Sequence, residues 1–461
     1  MKDLTGRLMG PRGSVRAEIA QGAAGSLALK VVGLGLKLVT GVLLARLLGA
    51  EGLGTYAFAL AVVGLLQIPT QLGLPQLVTR EVAALRERGQ WGLLRGLLTR
   101  ANQGVGLLGI LMAVAAFVVA WVFLREGDSP RLAAFWVALP LLPIVALSSL
   151  RQATLLGLRH VVHGQIPESL VQPGTLALAL GGGYLILGAG FLTPTGAVWL
   201  NVGAALIAFA TGAWFLVRRL PAEVRTHEPE YRSRTWLQEG LPFMMLAGLA
   251  MVNDRLALVM LGVFRTDAEV GVYQVCLLAA WPVAFGLQAA GATVAPHLAR
   301  LWVRRDLPAM QRVVTGAARI SLAVAVPLGL VLLLFGGLLL AMLFGEEFRS
   351  GRTALAIVVL GQLLNAGFGS VGLILNMTGH TGLAVRGFLA AVAANVVLNL
   401  VLIPRMGIEG AALGALLAFV VWNTILFLYV RREVGVISLA FGGRRWGPKV
   451  DPREGSGGAE G

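Results

Sequence analysis

The chain has 461 residues, of which 57% are hydrophobic and only 13% charged, with a mean hydropathy of +0.78. A water-facing surface needs about twice that supply of charge, which excludes one large soluble enzyme or a disordered scaffold and leaves a polytopic membrane protein. The formal net charge is +15; in an apolar chain such an excess reads as the Lys/Arg bias of cytoplasmic loops, and no nucleic-acid partner is expected.

The first 20 residues are polar and basic, and the apolar stretch that follows is too long for a cleaved h-region, so it reads as a retained first span. A span needs about 20 mostly apolar residues. That ruler predicts twelve: 23–48, 54–79, 102–124, 132–157, 167–190, 196–217, 241–264, 271–297, 314–344, 353–378, 382–403 and 409–430. The ninth is too short for two crossings and is expected to bend near Pro327.

Lys and Arg alternate with the loops. The side holding the termini and the loops after even-numbered spans collects 25 of them. The other side has 7: Arg46, Arg125, Arg131, Arg265, Arg349, Arg352 and Arg405. This split predicts a multi-pass protein with both termini in the cytoplasm. The tail from 433 to 461, rich in Gly, Pro and charge beyond Phe441, reads as disordered.

A polar linker over 220–240 separates a bundle over 1–219 from a second over 241–432. Leu53–Tyr56 (LGTY) and Val270–Tyr273 (VGVY) open spans 2 and 8 at an offset of 217. Gly196-Ala197 and Gly410-Ala411 open spans 6 and 12 at an offset of 214. Matching offsets on matching spans indicate an internal repeat. Six spans per half give parallel repeats about an axis along the membrane normal. The expected fold is all-α: twelve helices in two pseudo-symmetric six-helix bundles.

The sequence from Ala45 to Tyr56 (ARLLGAEGLGTY), with LGLP at 72–75 and REV at 80–82, resembles the opening of the polysaccharide (O-antigen type) flippase family. That family lies within the multidrug/oligosaccharidyl-lipid/polysaccharide exporter superfamily. The likeness continues at NDR (253–255), GVY (271–273) and GIEGAA (407–412). It implies an alternating-access transporter of the bacterial inner membrane. Its cargo would be an undecaprenyl-pyrophosphate oligosaccharide, moved from inner to outer leaflet. Its partners would be that anionic glycolipid, the bilayer, and a polysaccharide polymerase or glycosyltransferases.

No P-loop, H-E-x-x-H or Ser/His/Asp grouping stands out, and the single Cys276 allows no cysteine cluster, so no cofactor or metal is expected. His160 and His163 read as solvated loop histidines. Short outer loops argue against a membrane-embedded enzyme of polysaccharide assembly. Transport without bond chemistry is the leading class.

Six bases fall inside spans: Lys30, Lys37, Arg151, Arg255, Arg319 and Arg386. A charge at mid-span costs roughly 2.5–3.5 kcal/mol and so faces a cavity, a partner or an interface. Lys37 stands about 21 Å into span 1, with Lys30 two turns earlier on the same face. Lys30, Lys37, Arg151 and Arg255 are the candidate substrate-binding residues; Arg319 and Arg386 lie near span ends, within snorkelling reach. Asp254 is the acid placed deep in a span, and the 217 offset makes it the counterpart of Lys37. It reads either as an inter-bundle ion pair or as a proton or cation site. A basic cavity suits an anionic lipid pyrophosphate better than the cargo of a drug/cation antiporter, the alternative within transport.

Overall fold

The computed structural model describes residues 12–123, 129–188 and 190–441. Lys2, Arg7, Arg125 and the tail beyond Phe441 lie outside them. Every regular element among the described residues is a helix. Ten helical stretches are long and apolar enough to cross a membrane: Ala28–Gln71, Trp91–Phe123, Pro130–Gly157, Val161–Leu187, Pro194–Arg219, Ser233–Phe264, Asp267–Ala295, Leu307–Phe344, Glu346–Met377 and Thr381–Val434.

The first and last of these are each two spans in one. Gly49 (φ 68°, ψ −179°) interrupts the first, and Gly407 (φ 58°, ψ −128°) the last. Both take the positive φ that glycine tolerates at no steric cost. Counting across the two breaks gives the twelve spans expected from hydropathy. The ninth is one helix, Leu307–Phe344, with Pro327 inside it.

The outer faces confirm the solvent. On span 3, Leu107, Ile110, Leu111, Val114, Val118 and Val122 are all exposed. So many bare aliphatic side chains on one helix suit lipid and not water.

Several helices run past the expected span ends. Span 3 begins at Trp91, because Leu93, Leu94 and Leu97 are buried against Leu77, Val78, Val82 and Leu85 of a short amphipathic helix, Leu74–Glu87. The linker is strapped to this surface. Arg95 donates to the carbonyls of Arg225 and His227, and Glu230 N donates to Gly92 O (3.0 Å).

The chain divides into two compact units. The first comprises 1–279, 337–354 and 399–411; the second comprises 280–336, 355–398 and 412–461. In the second unit the chain after Val434 runs extended, with Val434, Val436, Ser438 and Ala440 buried in alternation. Ile437 exchanges two hydrogen bonds with the Gln311 side chain, and Ala440 N donates to Gly367 O.

Within the first unit the repeat is visible as a reciprocal contact. A Cβ on Gly54 would run into the Asp267 carbonyl, and a Cβ on Gly271 into the Ala50 carbonyl. Gly54 and Gly271 are 217 residues apart, and so are Ala50 and Asp267. Residue i meets j′ and j meets i′, as a two-fold relation between repeats demands. The seam is tied by polar contacts: Thr55 Oγ1 donates to Asp267 Oδ2 (3.0 Å), and Arg131 Nε lies 2.7 Å from Asp267 Oδ1.

Gly54→Ala sets a methyl group against a backbone carbonyl that cannot swing away. It is expected to cost about 1–3 kcal/mol by overpacking. A lower melting temperature in detergent should accompany faster alkylation of a cysteine at Ala57, which is buried on span 2. The background is Cys276→Ala. Unchanged melting and unchanged labelling would contradict the close approach.

Candidate functional site

The candidate residues on span 1 share one stripe. Gly33, Thr40 and Leu44 are buried, and Lys30 and Lys37 fall between them on the same side. Gly33 abuts the Ser169 carbonyl of span 5, Thr40 Oγ1 donates to Leu36 O (2.7 Å) and Pro173 O (3.2 Å), and Gly41 meets Leu278 of span 8. Lys30 and Lys37 nonetheless remain exposed. They lie on the side of span 1 away from the exposed Val31, Gly35 and Val39. Among the described residues neither lysine forms an ion pair.

Arg151 is the opposite case. It is buried on span 4, 6% exposed. Its guanidinium donates to Ser148 Oγ (2.7 Å), Leu147 O (3.3 Å) and Phe209 O of span 6, and it lies 3.6 Å from the centroid of the Phe209 ring. With so many of its donors committed, Arg151 holds spans 4 and 6 together.

Arg255 lies on the seam of spans 2 and 7, with its Nε 3.5 Å from where a Gly64 Cβ would stand. Asp254, one residue earlier, is exposed, and the charge that acts on it is that of Arg255. Among the described residues Asp254 makes no ion pair with Lys37. In the second unit, Arg319 Nε donates to Ala440 O (3.0 Å), and Arg386 is exposed.

The acid that does sit near Lys37 is Glu168 of span 5. Both Arg151 and Lys37 act electrostatically on its carboxylate. Sequence reasoning misses it for a definable reason. The hydropathy ruler starts span 5 at 167, which puts Glu168 at the water interface. The helix starts at Val161, so Glu168 lies seven residues in, about 10 Å. The available signal is an acid in the same apolar segment as Gln165 and Gln172.

His160 and His163 stand at the start of this helix with ring centroids 6.0 Å apart. Burial, then Arg219, His163 and Arg86, hold His160 below its ordinary pKa. Such positive neighbours make the pair a poor cation site. Among the described residues no cluster of three or more His, Cys, Asp or Glu side chains could hold a metal ion.

Comparison with known proteins places the chain. A family model described as polysaccharide biosynthesis protein matches residues 19–302. The chain belongs to that family. A probable low-salt glycan biosynthesis flippase of Haloferax volcanii is 21% identical over 398 residues, covering 86% of this chain and 80% of that protein. Among solved structures, an inward-facing multidrug resistance MATE family transporter of the MOP superfamily superposes with a TM-score of 0.70 at 14% identity, over 90% of this chain and 98% of that one. The lipid II flippase MurJ, in an inward closed conformation, gives a TM-score of 0.66 at 10% identity, over 89% of this chain and 87% of that one. The fold is that of the MOP superfamily transporters.

Arg151→Ala removes the base beside Glu168 and the clamp on Phe209. Removing one member of a buried charge group is expected to cost about 3 kcal/mol or more. The double change Arg151→Ala/Glu168→Gln should melt above Arg151→Ala alone. Equal melting of single and double variants would uncouple the two residues.

Proposed function

We propose that this protein is a flippase for a polyprenyl-pyrophosphate-linked oligosaccharide, undecaprenyl pyrophosphate in a bacterial host. It carries the headgroup from the inner to the outer leaflet for cell-surface polysaccharide assembly. The observation that carries this reading is Lys37: a lysine deep in a span, on the same side as the buried Gly33 and Thr40, accessible and without an ion pair among the described residues. An unpaired ammonium at that depth needs a partner, and a transported pyrophosphate supplies two negative charges to it. The family assignment and the glycan flippase relative support the same cargo class.

Each residue then has a distinct task. Lys37 makes the charge-assisted contact to the pyrophosphate, and Lys30 receives it two turns nearer the terminal end of the span. Arg151 stays in place and lends the site its positive field. Arg255, on the span 2–span 7 seam, offers a second guanidinium to the cargo, while Asp254 beside it balances that charge when the site is empty. The basic bias of one set of loops supports a cytoplasmic location for that set and for both termini.

Lys37→Ala should insert and melt as wild type, because the penalty of a charge in the span is gone. It should nonetheless lose roughly tenfold or more of its flipping, the worth of one charged hydrogen bond. Lys37→Arg should retain part. The assay is translocation of a fluorescent lipid-linked sugar in proteoliposomes. Undiminished flipping by Lys37→Ala would remove the headgroup from this site.

Topology has its own test. Reporters fused after Gly127 and Arg349 should face outward. Those after Arg88, Arg225 and Arg445 should face the cytoplasm. An inward-facing reporter after Arg349 would break the assigned orientation.

A further inference from the structure

Glu168 sits in the five-residue π-helical stretch Pro167–Val171 of span 5. Such a turn gives up regular backbone bonding and re-aims its side chains, and it recurs at functional sites. Glu168 is the only acid of the helix Val161–Leu187. Its Oε2 is closed to solvent and has no hydrogen-bond partner among the described residues. Lys37 from span 1 and Arg151 from span 4 act on the carboxylate. Neither comes close enough to form an ion pair with it.

The remaining surroundings are neutral. Span 6 presents Gly212 to Pro167, and Asn201 to Gln172; its Arg218 and Arg219 follow more than a turn after Gly212. On its own helix, His163 precedes Glu168 by five residues and pairs with Arg219. Of the two bases that reach Glu168, Arg151 is fixed by its carbonyl, hydroxyl and ring contacts and Lys37 is free to move.

We propose that Glu168 is a proton-binding site linked to the headgroup site at Lys37: when an anionic headgroup takes Lys37, Glu168 takes one proton, and when the headgroup leaves, Glu168 releases it. This rests on the Lys37 reading above. An ionised carboxylate in a dry segment depends on the positive charge around it. A pyrophosphate that draws the Lys37 ammonium withdraws the mobile part of that support, leaving the part that Arg151 and a backbone N–H supply, and adds a nearby negative charge. A proton on Oε2 removes both penalties and turns the orphan acceptor into a donor. It comes from hydronium on the exposed Lys37 side: one O–H bond of hydronium breaks as the carboxyl O–H forms, and water remains. A metal ion would meet the fixed charge of Arg151 and no further ligands.

The test is calorimetry on the purified full-length protein in detergent. The probe is a short-chain polyprenyl pyrophosphoryl sugar, whose pyrophosphate, esterified at both ends, keeps its two negative charges from about pH 6 to about pH 9. Titration in two buffers of different ionisation heat gives the protons taken up per probe bound. Wild type should take up close to one, with affinity weakening by up to about tenfold per pH unit on the alkaline side. Glu168→Gln should bind with no uptake and no pH dependence, and Glu168→Asp should restore both. Equal uptake by wild type and Glu168→Gln would assign the proton elsewhere, His163 first, and overturn the proposal. Binding by wild type without uptake would overturn it while leaving Lys37 as the headgroup contact. No binding by wild type, or undiminished binding by Lys37→Ala, would overturn both. Should Glu168→Gln fail to fold, the wild-type proton count and Glu168→Asp decide.

Discussion

A bilayer offers no water to a polar group, so each one inside a span must find its partner in the protein or open onto a wet recess. This constraint organises the helices. Thr40 and Thr70 return their hydroxyls to carbonyls one turn back. Gln67, 2% exposed, crosses from span 2 to the carbonyls of Leu141 and Leu142, just past the helix break at Pro140. Gln172 pairs with Asn201 between spans 5 and 6, and Asn423 with Asn365 between spans 12 and 10. Arg151, a buried guanidinium, is costly to bury, and it makes three hydrogen bonds and stacks on the Phe209 ring. Against that background the accessible Lys37 and the orphan Oε2 of Glu168 stand out, because stability alone would have paired or deleted them.

The same constraint explains three arginines on the sparsely charged side. Each caps the end of another span. Arg46 donates to the carbonyls of Met342 and Leu343, Arg131 to that of Gly262 (2.8 Å), and Arg265 to those of Ile403 (3.2 Å) and Pro404 (2.9 Å). The last carbonyls of a helix have no partner within it and carry its negative dipole end. A guanidinium from a neighbour satisfies both needs. Glycine makes the approach feasible: at Gly54 and Gly271 the backbones come too close for any side chain.

The twelve spans were legible because a bilayer demands long apolar runs, and the repeat because Gly54 and Gly271 recur with their neighbours. Span ends were less so. Hydropathy stops where lipid stops, whereas the helix from Trp91 continues on amphipathic packing of Leu93, Leu94 and Leu97. That error hid Glu168. The repeat misled in one respect. It makes Lys37 and Asp254 equivalent positions, and equivalence across an axis does not bring two residues into contact. The acid near Lys37 comes from span 5 of its own half, which no offset could indicate. The capping roles of Arg46, Arg131 and Arg265 were equally hidden, since their partners lie between 131 and 297 residues away.

A carrier must hold its cargo strongly enough to draw it from one leaflet and weakly enough to release it into the other. Two rigid, dry bases would hold a pyrophosphate and keep it. Here Arg151 spends its donors on Phe209, Ser148 and Leu147, so it contributes field but few bonds to a ligand. Of the two bases that act on Glu168, Lys37 is the one not held by hydrogen bonds among the described residues, and on the proposed reading it is the one that follows an anion. Such an arrangement lowers the positive charge of the empty site, since the acid offsets one of two bases. On the proposed reading it also gives a bound headgroup a rival at the point of release. A second lysine at position 168 would strengthen capture and remove that rival, which is a physical reason for an acid to stand at the centre of a basic site.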